Sequence, residues 1–487
     1  MFPSLLRKKI LPVALGLVSL YVSAQDNQPT DYLTKEFHAG RREAARALMP
    51  DHSVLVVFAY PERKFSNDVD YFYHPNPDLY YFTGYKEPHS VLLLFKEEQT
   101  DEAGNRFRDL FYVRKRNPQA EQWTGRRLGV GGVQEQLGLK QVFNGEEFRM
   151  LDIDFSRFDK IIYDFLPEDV ADNPRDNADL YDLIALFRAK AKIPAASKSD
   201  PRFDSRLFHK LTGQLREIKT PEEMDLIRKA VEISCQGQNE VMKALRPEMS
   251  ELELQGLHEF VHKKYGAEEV GYGSIVGAGN NGCILHYMEN TKTKVGQELV
   301  LMDVGAEYHG YTADVTRTVP ANGKFTEEQK IIYNLVYEAQ EAAFRILKNG
   351  AKWSDASAAA RQVIADGLFK LGIIKNKAEV SKYYPHGLSH HIGLDVHDRG
   401  YSNVLLKGMV ITIEPGIYIP EDSDCDKKWW NIAVRIEDDA LIRENDYELL
   451  SASAPRKVED IEKMMAEKSA LDDFVLPPLP SAGKKAF

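Results

Sequence analysis

The stretch Leu299 to Val319, LVLMDVGAEYHGYTADVTRTV, reads as two apolar, β-branched runs joined by a turn, and each run carries an aspartate where a core strand should be apolar. A charge inside a buried strand is costly unless it is paired or bound to a metal. The turn lies near Tyr308 to Gly310. With Tyr308 and His309 as the turn residues, Asp303 and Asp314 face each other directly; with His309 and Gly310 they lie diagonally on one face. Both registers bring the two carboxylates together. The simpler alternative is that one of them caps the turn, as aspartate often does.

The same oddity recurs downstream. In GMVITIEPG, Glu414 ends an apolar strand before Pro415 and Gly416, which halt the strand and allow close backbone approach. In IAVRIEDD, Arg435 and Glu437 are two apart and share a strand face, so an in-strand ion pair is the bland reading there. Four carboxylates that would each be expensive alone become sensible together, because a dinuclear metal centre needs about four carboxylates and an imidazole. Candidates for the imidazole crowd HGLSHHIGLDVHD, which holds His386, His390, His391 and His397 of the chain's 13 histidines. HGLSH has the i, i+4 spacing of a helical metal pair, yet it lacks the glutamate of the zinc-protease helix and Gly387 weakens any helix. An earlier histidine, His286, follows the Gly- and Asn-rich run GYGSIVGAGNNGCIL.

The rest of the 487 residues sets the frame. Arg7, Lys8 and Lys9 precede the apolar run ILPVALGLVSLYV and the small-residue site Val22-Ser23-Ala24, the layout of a signal peptide over residues 1–24. An exported protein, periplasmic or secreted and without a stable membrane anchor, is expected. Strand runs SVLVVFAY and SVLLLFK and the helical EFHAGRREAARALM predict an α/β domain over residues 25–200, ending in the linker-like AKIPAASKSDPRFD. Thr220, Pro221 and Glu223 then open a helix with a capping box, and Thr326 with Gln329 opens another that should stop at Asn349-Gly350. This second domain spans residues 201–465, and a Pro-rich tail, expected to be poorly ordered, follows over 466–487. No internal repeat is evident. The net charge of −11 argues against nucleic acid as a partner, and three cysteines are too few for a disulfide scaffold.

With these residues assembled, the chain resembles aminopeptidase P, the Xaa-Pro aminopeptidases of the pita-bread metallopeptidase family. NDVDYFYHPNPDLYYFTGYKEPHSVLLL and AEQWTGRRLGV look like segments of that family's N-terminal domain. IKTPEEMDLIRKA, NGCILHYMEN, MDVGAEYHGYTADVTRTVPANGKFT, HGLSHHIGLDVHD, ITIEPGIYI and VRIEDD follow in family order. The resemblance implies an α+β fold, a pita-bread catalytic domain preceded by a smaller α/β domain. It implies metal ligands Asp303, Asp314, His390, Glu414 and Glu437 for two divalent ions, most simply Mn2+, with Co2+ or Zn2+ tolerated. In the family mechanism a hydroxide bridging the metals attacks the scissile carbonyl, with Glu414 as general base, His286 over the carbonyl oxygen and His397 on the substrate. At the substrate site, His386 and Arg435 match positions lining the pocket for the proline ring, and Tyr418 matches one beside the metal-bound glutamate. Peptides with proline second are the implied substrates, and a homodimer or homotetramer the implied assembly, in which Trp123 reaches a neighbouring active site. Prolidase, the same chemistry on dipeptides, is the nearest alternative, and a non-catalytic peptide-binding module the next. The chain departs from the pattern at His391, where an aromatic residue is usual and no ligand role is assigned. It also departs at Ala433, where glycine is familiar, in a segment that carries Trp429 and Trp430, which leaves the shape of the cleft rim and the side-chain preference open.

Overall fold

The computed structural model of the chain describes residues 29–473 and 476, apart from 102, 165 and 194–199. The expected signal peptide, the middle of the linker and the end of the tail lie outside the described residues. Among the described residues no helix is long and apolar enough to cross a membrane.

The N-terminal part is built on a five-stranded sheet. Its strands run in the order 142–144, 106–113, 91–100, 53–58 and 160–163, antiparallel in the middle and parallel at both edges. Both faces are covered, which explains why Val54–Phe58 is an unbroken apolar run and the whole strand Ser53–Phe58 is buried. Leu55, Val57, Leu92 and Leu94 meet Phe37 and Ala45 of the helix Lys35–Leu48 on one face. Val54, Val56, Leu93 and Phe95 meet Leu183 and Phe187 of the helix Leu180–Ala191 on the other. Past 194–199 the chain does not hang free, for Phe203 bridges to Ile161 at the sheet edge.

Two long helices carry the second part. Pro221–Ala244 opens with both hydrogen bonds of the capping box, as does Glu327–Phe344. The second helix stops five residues short of the predicted Asn349-Gly350, because Ile346 and Leu347 donate back to Ala343 and Phe344 and tighten the last turn. Each long helix packs on a following one, Glu251–Lys264 or Trp353–Lys370. Each is also followed by an antiparallel strand pair, Leu299–Val304 with Val315–Pro320 and Val410–Ile413 with Asp438–Ile442. The architecture is thus used twice although no repeat is legible in the sequence. What the halves share is an order of elements and a capping box, not a run of residues.

The turn in the opening stretch takes the second of the two registers. Tyr308 pairs with Tyr311 across His309 and Gly310, whose φ values of 52° and 89° make the left-handed two-residue turn that hairpin twist favours. Asp303 therefore pairs with Thr316, and Asp303 and Asp314 are diagonal. The strands approach so closely here that a side chain on Gly305 would meet the Ala313 carbonyl oxygen at 2.0 Å. The tail starts as ordered chain, since the buried Ser469 hydroxyl donates to Glu240.

N-terminal and second parts share apolar core, with Leu79, Tyr81 and Phe82 packed in one cluster with Ala306 and Tyr311. They also share a buried charge network. Arg216 pairs with Asp78 and Asp395 at 2.8 Å each and with Asp398, which also pairs with Lys219 at 2.7 Å. Removing one partner of such a network strands the others uncompensated in low dielectric. Arg216→Met should therefore cost about 3–5 kcal/mol, read as a lower urea midpoint; an unchanged midpoint would contradict this role.

Candidate metal centre

Three of the four carboxylates sit where strands break. Asp314 lies between Tyr311–Thr312 and Val315–Pro320, Glu414 between Val410–Ile413 and Gly416–Ile419, and Glu437 between Ile432–Arg435 and Asp438–Ile442. Pro415-Gly416 halts the strand Val410–Ile413 as expected, and Gly416 opens a separate strand that pairs with Arg435 in another sheet. A break releases a side chain from the alternation of a continuous strand, which lets several segments turn carboxylates to one spot. Asp303, next to last in its own strand, completes the group.

The four line a cleft of about 400 Å³ together with His286, His386, His390, His397 and Arg435. Donor atoms of Asp314, His390 and Glu437 lie within 4.8 Å of one another. His390 Nε2 is 3.4 Å from Glu414 Oε1 and 3.6 Å from Asp314 Oδ2. Burial, reinforced by the neighbouring carboxylates, pushes Asp314 and Glu437 well above the usual carboxylate range. Burial also raises Glu414 to about 7 against the pull of Arg435. These shifts register an excess of negative charge that bound cations relieve.

The histidine stretch is neither helical nor a cluster of equivalent ligands. It runs extended beside Val410–Ile413, with Glu414 N donating to Leu388 O, Thr412 N to His390 O and Ile392 N to Val410 O. Alternation then separates neighbours. His390 faces the carboxylates, while His391 packs against Trp353 with ring centres 4.9 Å apart. Burial lowers His390 to about 4 and keeps it neutral. Its Nδ1 lies 3.0 Å from the His391 carbonyl, so Nδ1 carries the proton and Nε2 presents its lone pair to the cleft.

Arg435 is committed to the site's frame. Besides the long in-strand pair with Glu437 at 4.0 Å, it binds Asp303 Oδ2 at 2.5 Å and donates to Tyr418 Oη at 2.8 Å. Tyr418 in turn donates to His386 Nε2 at 2.8 Å, because Nδ1 of that ring is used on Gly387 O. Tyr418 stands behind the cleft wall rather than in it. His286 and His397 are exposed at the mouth, and the His397 ring lies 4.3 Å from that of His390.

Trp429, left open by the sequence, is 3% exposed and belongs to the core, and Trp430 donates its indole N–H to Ser423 O; neither is among the residues that line the cleft. Ala433 packs beneath the Gly/Asn-rich loop, 3.1 Å from where a side chain on Gly282 would stand. Sequence reasoning also missed Tyr272, whose hydroxyl lies 2.6 Å from both Asp303 Oδ1 and Asp314 Oδ1 and bridges them with its single proton. Its only sequence signal is the pair of flanking glycines. A side chain on Gly271 would collide with Thr312, so the loop can reach the aspartates only without one.

Comparison with known proteins matches both parts. The family model "Metallopeptidase family M24" covers residues 225–444, and "Aminopeptidase P, N-terminal domain" covers residues 38–152. The chain is 36% identical to Xaa-Pro aminopeptidase of Escherichia coli over 87% of its own length and 96% of the relative's. It is 33% identical to Xaa-Pro aminopeptidase 3 of Homo sapiens, over 85% and 81%. Among solved structures, Escherichia coli aminopeptidase P with the inhibitor Pro-Leu superimposes with a TM-score of 0.77 at 34% identity, covering 89% of this chain and 98% of that one. Aminopeptidase P II from Yersinia pestis gives 0.77 at 33% identity, over 89% and 100%. The paired α/β and pita-bread parts, and the cleft that the family motifs line, are therefore those of a relative in the strict sense: the chain belongs to the aminopeptidase P family of M24 metallopeptidases.

Proposed function

We propose that the chain is a metal-dependent Xaa-Pro aminopeptidase, hydrolysing the bond between an N-terminal residue and a penultimate proline. The observation that carries this reading is the convergence of Asp303, Asp314, Glu414, Glu437 and the neutral His390 on one cleft. These five would hold two divalent ions. Four carboxylates opposed by one guanidinium leave a deficit of positive charge that such ions fill, and the oxygen-rich donor set favours Mn2+ while accepting Co2+ or Zn2+. The ions, when bound, supply Lewis acidity that polarises a carbonyl and acidifies water.

The chain's own groups do the rest. Glu414, whose Oε1 accepts from the Thr412 hydroxyl at 3.4 Å, takes the proton of the attacking water as general base. His286, at the mouth, donates to the carbonyl oxygen as negative charge develops there. The leaving group is a proline nitrogen, a secondary amine once the bond breaks, and it needs a proton; His397 assists that transfer. His386, held through Tyr418 to Arg435, walls the proline ring with a fixed imidazole face. The N-terminal domain, residues 25–200, restricts entry to peptide N-termini, and residues 201–465 carry the chemistry. Residues 1–24 direct export. A homodimer or homotetramer fits Trp123, which is 89% exposed on the short helix Pro118–Thr124.

Protein stripped with chelator should be inactive and should recover with Mn2+, releasing alanine from Ala-Pro-Ala and longer peptides. Cleavage of Ala-Pro alone would contradict the aminopeptidase reading in favour of a dipeptidase. Glu414→Gln should lower kcat by about 10²–10⁴ with the far-ultraviolet circular dichroism unchanged; wild-type turnover would remove Glu414 as the base.

A further inference from the structure

Two glutamines are buried in the C-terminal halves of the two long helices, where an amide is expensive unless it is used. Gln238 of Pro221–Ala244 donates from Nε2 to Met302 O at 3.0 Å and to Val315 O at 2.8 Å. Its Oε1 has no partner among the described residues, so the two carbonyls alone set its orientation. Gln340 of Glu327–Phe344 donates from Nε2 to Ile413 O at 2.9 Å and to Ile436 O at 3.1 Å, with Asp438 Oδ2 also at 2.8 Å. Arg456 fixes that amide by donating to its Oε1 at 2.9 Å.

The carbonyls are not arbitrary ones. Met302 precedes Asp303 and Val315 follows Asp314; Ile413 precedes Glu414 and Ile436 precedes Glu437. Each glutamine thus ties together, from the rear, the two backbone segments that present one pair of carboxylates. The first clamp serves Asp303 and Asp314, the second Glu414 and Glu437. Like charges in a buried cluster push their segments apart, most easily at strand breaks where the ladder gives no support. A donor with two hydrogens, rooted in a rigid helix, holds each pair at one separation.

We infer that Gln238 and Gln340 are positioning residues that set the spacing of the two carboxylate pairs for metal binding, the same task done once in each half of the fold. The inference rests on the proposed metal centre and adds to it what holds that centre in shape. Neither residue touches the cleft.

The test is calorimetric titration of chelator-stripped protein with Mn2+, comparing wild type, Gln238→Met and Gln340→Met. Ser234→Ala serves as the control. Ser234 is buried on the same helix as Gln238 and accepts from Ala306 N in the turn half of the Asp303–Asp314 hairpin, so its loss weakens the same hairpin without freeing a carbonyl next to a carboxylate. Each methionine variant should bind Mn2+ about tenfold more weakly, while Ser234→Ala lowers the urea midpoint and keeps wild-type affinity. Gln238→Asn and Gln340→Asn, which keep the amide on a shorter arm, should fall between, and they carry the test if a methionine variant does not fold. Wild-type affinity in the glutamine variants, or an equal loss in Ser234→Ala, would overturn the inference. A wild-type protein that binds no Mn2+, Co2+ or Zn2+ would overturn the metal centre itself, and with it the role of the clamps.

Discussion

The structure is organised around the cost of gathering carboxylates in a buried place. Asp303, Asp314 and Glu437 are buried, Glu414 is half-buried, and Arg435 is the cation that lines the cleft with them. Such a cluster repels itself and loses hydration, so a fold can tolerate it only with a strong frame and with cations to occupy it. The frame is visible as hydrogen bonds. Tyr272 bridges two aspartates, Thr316 donates to Glu437 at 2.6 Å, Asp439 accepts from the Asp314 amide at 3.0 Å, and Arg435 grips Asp303. Each contact fixes one oxygen or one backbone segment, and Asp303 has both of its oxygens engaged, Oδ1 by Tyr272 and Oδ2 by Arg435.

The same constraint explains how the two parts of the chain depend on each other. The histidine stretch is irregular, so its position must come from its ends. At one end it lies along the strand that leads to Glu414. At the other, Asp398 is held by Arg216 and Lys219, and Arg216 also reaches Asp78 in the N-terminal part. The loop carrying His390 is thereby anchored to the joint between the two parts. A mutation in this network far from the cleft would be felt at the imidazole.

Much of this was legible in the sequence because the relevant signals were violations. Asp303, Asp314, Glu414 and Glu437 stood out as charges in apolar runs, and the structure brings all four to one cleft. The helix starts at Thr220 and Thr326 were legible because a capping box is local chemistry. What stayed hidden depends on distance. Tyr272 looks like any aromatic in a glycine-rich loop until the loop is folded onto the aspartates. Gln238 and Gln340 look like ordinary helix residues until their carbonyl partners, 64 and 73 positions away at the nearest, are brought in. Trp429 could not be placed from sequence because a tryptophan near a cleft motif and a tryptophan in a core have the same letter, and only packing tells them apart.

The central claim is that these four carboxylates and His390 hold a pair of metal ions. Anomalous diffraction from crystals of the Mn2+-loaded protein, recorded on either side of the manganese edge, tests it most directly. The account predicts two peaks enclosed by Asp303, Asp314, Glu414 and Glu437, with the His390 Nε2 bonded to one of them. Loaded protein with no peak in this cleft, or with its ions bound elsewhere, would contradict it.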